Sequence, residues 1–154
     1  MFRSFFIFFL LLLVACDSSR VFESNNDLEA GWISSDTLVY NMEIPDTASR
    51  FNVILNVRNT IDFQTARLFV QYQLSDTLKV LRKRLIEQNL FDRKTGEPFG
   101  DSGLGNIFSH RILLEPGLTF PARGVYQVRL NHMMRTDTLP EILSVGIRLE
   151  KVSQ

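Results

Sequence analysis

Leu68-Phe69-Val70-Gln71-Tyr72-Gln73-Leu74 sets Leu68, Val70, Tyr72 and Leu74 against Phe69, Gln71 and Gln73. Successive side chains of an extended strand point to opposite faces, so this alternation predicts a strand with one buried face and one wetter face. The same period recurs on both sides of it. Leu38, Tyr40, Met42 and Ile44 alternate with Val39, Asn41 and Glu43, and Pro45-Asp46 ends that run. Phe51, Val53, Leu55 and Val57 form the next set, then Tyr126, Val128 and Leu130, then Val145, Ile147 and Leu149. His110, Ile112 and Leu114 read as a further strand. Leu78–Glu87 (LKVLRKRLIE) fits a helical face through Leu78, Leu81, Leu85 and Ile86, but also fits a strand, and its neighbours favour strand.

Turn chemistry separates the runs at Pro45-Asp46, Asn59 to Asp62, Lys94-Thr95-Gly96, Pro116-Gly117 and Ala122-Arg123-Gly124. Crossover helices for a parallel sheet are missing. The pattern predicts an all-β antiparallel β-sandwich, jelly-roll or immunoglobulin-like, over residues 32–154. Residues 16–31 are rich in Ser, Asn and Asp and read as a polar tether, with Val21-Phe22 as a short edge strand. The connection from about Gln88 to Ser109 carries Gly96, Gly100, Gly103 and Gly105. A connection that long in a compact domain is functional or mobile.

The first fifteen residues are of another kind. Arg3 is followed by ten apolar residues, Phe5 to Val14, and then Ala15. A charged start, a short apolar run and a small residue before a cleavage point make a signal peptide. As a helix the run would rise only about 15 Å, against a hydrocarbon core of about 30 Å. Leu13-Val14-Ala15-Cys16 looks like a bacterial lipobox. That resemblance implies cleavage before Cys16, diacylglycerol on its sulfur and an acyl chain on the new amine. Cys16, the only cysteine of the chain, is then a lipid-attachment site and not a redox or nucleophilic thiol.

The 154 residues carry 17 basic and 17 acidic side chains. This balance gives no electrostatic argument for nucleic acid, and no polybasic patch for anionic lipid is expected. One Cys excludes an internal disulfide, and two His, His110 and His132, cannot build a usual zinc site unaided. Gly103-Leu104-Gly105 lacks the third glycine of a dinucleotide fingerprint, and no Gly-x-Ser-x-Gly elbow occurs. After Asp92, Lys94 and Gly96 stand where an EF-hand needs oxygen ligands. No enzyme activity, cofactor, metal or small-molecule substrate is expected. Trp32, Phe99 and Phe108 are stacking candidates if the chain binds carbohydrate, the alternative reading.

Several segments taken in order carry a resemblance along most of the chain. They are Cys16-Asp17-Ser18, Gly31-Trp32, Ile44-Pro45-Asp46-Thr47, Asn56-Val57-Arg58-Asn59 and Leu68-Phe69-Val70. Gly103-Leu104-Gly105-Asn106-Ile107, Phe120 to Tyr126, Met134-Arg135 and Val145 to Glu150 complete them. This order resembles the gliding-motility lipoprotein H family of the Bacteroidetes, with Phe99 standing where a Trp is expected. The resemblance implies a lipid-anchored cell-envelope accessory protein, facing the periplasm from the inner or outer membrane. It further implies support of surface gliding and its associated protein-secretion machinery, without catalytic residues. Partners are then the membrane, through the lipid on Cys16, and other envelope proteins. The loop of Gly96, Phe99, Gly100, Gly103 and Gly105 is the candidate partner-binding element.

Overall fold

The computed structural model describes residues 18–153. The expected signal peptide and the expected lipid-attachment site Cys16 lie outside the described residues. Within them there is no helix. The strands are β1 (Arg20–Asp27), β2 (Trp32–Ile33), β3 (Leu38–Ile44), β4 (Phe51–Thr60), β5 (Arg67–Ser75) and β6 (Val80–Asn89). They continue with β7 (Asp101–Ser102), β8 (Ile107–Leu118), β9 (Gly124–His132), β10 (Thr138–Leu139) and β11 (Ile142–Lys151). One sheet has the order β1-β11-β4-β8-β7, the other β3-β9-β5-β6, and β10 pairs with β2 in a short ribbon. All pairings are antiparallel.

Setting aside the two-residue strands, the chain passes from sheet to sheet at every step except the β5–β6 hairpin. Pairing runs from the outside inward: β1 with β11, β3 with β9, β4 with β8, β5 with β6. This is a long hairpin rolled into two facing sheets, the jelly-roll connectivity rather than the immunoglobulin one.

The alternation seen in sequence becomes the core. Along β5, Leu68, Val70, Tyr72 and Leu74 are buried while the residues between them are half-exposed. They face Val53, Leu55 and Val57 of β4 and Val145, Ile147 and Leu149 of β11 in one apolar cluster. The Tyr40 hydroxyl bridges the sheets, donating to the Val145 carbonyl at 2.7 Å. Burial disfavours the charged phenolate and pushes its pKa well above the ordinary range.

Two expectations are corrected. The tether expected over residues 16–31 is sheet from Arg20 onward, with register Arg20↔Glu150 through Asp27↔Ser144. Its polarity comes from the wet outer face of an edge strand. Glu23 on that face pairs with Arg148 at 2.9 Å, while Phe22 packs against the core. The long connection is also shorter than expected. Strand β6 runs on to Asn89, Leu90 and Phe91 are buried, and β7 pairs with the start of β8. The segment read as helix or strand is strand over Val80–Asn89, where Arg82-Lys83-Arg84 charge an exposed sheet edge and oppose edge-to-edge association.

Candidate functional site at the two ends of the sandwich

Register places the chain connections at two ends. In the larger sheet Arg20, Glu150, Phe51 and Leu118 are nearly level, and in the smaller Ile44 is level with Gly124. The connections 45–50 and 119–123 therefore lie at one end, with Ser18, Ser19 and the segment after Lys151. We call this the near end, because the chain leaves it toward Cys16. The connections 28–37, 61–66, 90–106 and 133–141 make the far end.

At the near end the segments flanking β1 and β11 are tied to each other and to the 45–50 connection. Lys151 donates its backbone N–H to the Ser19 carbonyl at 2.7 Å, and Val152 donates to Arg50 at 2.8 Å. Asp46 organises its turn by accepting from the backbone N–H of Ala48 and Ser49 and from the Ser49 hydroxyl. The Ser49 bonds, more than the Lys151 ammonium 3.7 Å away, hold its carboxyl below the usual range. A cleft of about 560 Å³ opens here, lined by Ser18, Ser19, Ser49, Arg50, Lys151 and Val152. The β5–β6 turn is built the same way, with Asp76 accepting from the N–H groups of Leu78 and Lys79. This bends the chain so that Leu78 is 91% exposed.

At the far end lie the five residues expected to contact a partner. The segment leaves the core at Leu90 and Phe91, turns through Asp92, and returns with Phe99 N–H donating to the Leu90 carbonyl at 2.9 Å. Gly96 has φ +73° and Gly105 φ +68°, and both face open space, so each serves a turn of the backbone. Gly100 has a different reason. A Cβ there would lie 2.7 Å from the Ser109 carbonyl oxygen and 2.8 Å from the His110 ring. Gly103 closes the β7–β8 hairpin through its N–H to the Ile107 carbonyl. Phe99 is 61% exposed and Leu104, at the hairpin tip, 94%. Ile61, also exposed, joins the same tip through its N–H to the Asn106 carbonyl. Sequence reading missed Leu104, Ile61 and Leu78. An apolar residue between two glycines, or inside a Ser-Asp-Thr turn, was the available signal.

The stacking candidates separate. Trp32 is fully buried and meets His132 edge-on at 5.5 Å, so it is core and offers no platform to a sugar. Phe108 is half-buried against Phe91. Only Phe99 of the three is exposed. The histidines sit apart, one in each sheet. His110 lies beneath Gly100, its charged form disfavoured by burial and only partly restored by Asp101. His132 accepts from the Met134 N–H, and burial again lowers its pKa against the pull of Asp137 and Trp32 backbone. Among the described residues no three His, Cys, Asp or Glu side chains converge as a metal site. On the outer face of the larger sheet a polar cleft of about 380 Å³ includes Glu23, Asn25, Asn56 and Arg58. Glu23, Asn25 and Asn56 are spent on one another and on Arg148 beside the cleft. Asn56 donates to Glu23 and Asn25, and Arg148 pairs with both Glu23 and Glu150.

The profile of the GldH lipoprotein family matches residues 20–149, from the first residue of β1 nearly to the end of β11. A gliding motility lipoprotein GldH homolog of Christiangramia forsetii is 24% identical over 156 aligned positions, covering 95% of this chain and 93% of the relative. No solved structure matches the chain. The family match thus covers both sheets of the jelly roll, and the chain belongs to the GldH lipoprotein family.

Proposed function

We propose that this chain is a lipid-anchored envelope protein that supports gliding motility and the associated protein secretion by binding partner proteins. Family membership and the printed name of the Christiangramia forsetii relative carry the gliding assignment. The observation that supports a binding role is the far end, where Leu104 and Phe99 stand exposed on a hairpin pinned to the core by Leu90 and Phe91. An apolar tip on a rigid support gives a partner a preformed contact and loses little entropy on binding. The anchor is Cys16, which the lipobox marks for acylation. Anchoring confines the domain to a surface and raises its effective concentration near membrane-bound partners.

The test is deletion of the gene in its own organism, complemented with wild type, Cys16→Ala or Leu104→Asp. Colony spreading and secreted proteins are scored together, with protein level checked by immunoblot. Wild type should restore both traits, and both variants should fail at normal abundance. Unchanged spreading and secretion after deletion would sink the assignment.

A further inference from the structure

The near end carries Arg20, Arg50, Lys79, Arg123 and Lys151 against three carboxylates, Asp46, Asp76 and Glu150. Lys79 and Arg123 have no ion pair among the described residues, Asp46 and Asp76 are held in turns, and Glu150 is paired with Arg148 and Arg111. The far end has the opposite balance. Its connections hold Glu29, Asp36, Asp62, Asp92, Glu97 and Asp101, then Asp137 and Glu141, against Arg93, Lys94 and Arg135. A chain whose charges cancel in sequence is therefore polarised along its long strands, positive where the chain leaves toward Cys16.

The leash is also short. Two steps separate Cys16 from Ser18, and two extended residues span at most about 7 Å. The headgroup layer on one side of a bilayer is about 5–8 Å thick. An acylated Cys16 thus leaves the near end no room to stand clear of the headgroups. The same end holds Leu78 out into solvent at 91% exposure, beside Lys79.

We propose that the near end of the sandwich is a second, protein-borne membrane contact, in which Arg50, Lys79, Arg123 and Lys151 engage an anionic lipid surface and Leu78 enters it. This inference rests on the anchor reading above. It fixes the orientation of the domain, with the far-end hairpin presented away from the bilayer. Each Lys or Arg near an anionic leaflet contributes roughly a fivefold preference. The acyl chains hold the domain at the surface, and burial of the Leu78 side chain in the leaflet adds the transfer of one apolar group to that anchor.

The test uses the mature lipidated protein in nanodiscs of phosphatidylcholine alone or mixed with phosphatidylglycerol. Leu78→Cys and Leu104→Cys are each labelled with an environment-sensitive fluorophore. If Cys16 is acylated, the introduced thiol is the only reactive one. In the anionic discs the label at position 78 should shift to the blue and resist aqueous quencher, while the label at 104 should stay wet. Adding Lys79→Glu and Arg123→Glu, or raising salt, should return the label at 78 to water. Equal solvent exposure at both positions in anionic discs would overturn the proposal, as would indifference to the charge reversals. Failure of the anchor reads out separately, as labelling of Cys16 itself and no acyl mass on the N-terminal peptide.

Discussion

The near and far ends use the same local chemistry beneath different rims. Each has a turn whose aspartate gathers backbone N–H groups, Asp76 at the near end and Asp92 at the far end. Each lifts one leucine almost wholly into water, Leu78 and Leu104. Both stand on an apolar footing, the far end over Trp32, Leu90, Phe91 and His132 and the near end over Phe51, Phe120 and Tyr126, all buried. They differ at the rim: the far-end connections are mostly acidic, whereas the near end carries basic side chains on short loops.

The sharpest way to break this comparison is to remove the far-end footing. Trp32→Ala should cost about 3–5 kcal/mol, the range for emptying a large aromatic site. Urea unfolding followed by far-ultraviolet circular dichroism measures it, and a loss below about 1 kcal/mol would mean that Trp32 does not support the far end. A smaller effect divides the glycines. Gly100→Ala drives a methyl into the Ser109 carbonyl and the His110 ring and should cost about 1–3 kcal/mol. Gly103→Ala meets nothing closer than 3.4 Å, and its cost should stay within about 0.5 kcal/mol. Equal penalties in thermal unfolding would show that the loop tolerates both or neither, against the geometry.

Acid should separate the ends without mutation. His110 and His132 have folded pKa values below the ordinary 6.5 because burial favours the neutral ring. Their contribution is complete above pH 6.5 and is lost as pH falls from there through the folded values. Asp46 and Asp76 are depressed below 3.8, so what they contribute persists until pH falls through that region. Hydrogen exchange between pH 7 and about pH 5 should therefore speed up first at the Phe99 and Gly103 amides, beyond the intrinsic pH trend, before those of Ser49 and Lys79. Simultaneous loosening would erase the distinction. The smallest effect on stability is expected from Leu78→Ser and Leu104→Ser, each within about 0.5 kcal/mol. Their consequences should diverge in cells. Leu104→Ser should weaken partner capture, and Leu78→Ser should weaken membrane contact of the near end. Identical phenotypes would argue that the two ends form one functional surface.

Much of the fold was legible because strand side chains alternate with period two. Leu68 to Leu74 and Leu38 to Ile44 alternate in sequence as they do in burial. Of strand β1 only Val21-Phe22 was legible as an edge, and the rest was hidden for the same reason. An edge strand with a wet outer face, carrying Glu23, Asn25 and Asp27, has the composition of a tether. The loop glycines were visible, but their reasons were not. Gly96 and Gly105 serve local turns, while Gly100 is required by His110 across the hairpin.

The sequence by itself determined the all-β class, the positions of the strands with strict alternation, the lipobox motif at Cys16 and the family resemblance, since these depend on neighbours along the chain. Only the tertiary structure decided that the sandwich is a jelly roll, that Trp32 is core, and that balanced charges segregate. Arg20, Arg50, Lys79, Arg123 and Lys151 are scattered over most of the chain. Antiparallel pairing returns each of them to the same end, and no sum over composition records where a strand turns back.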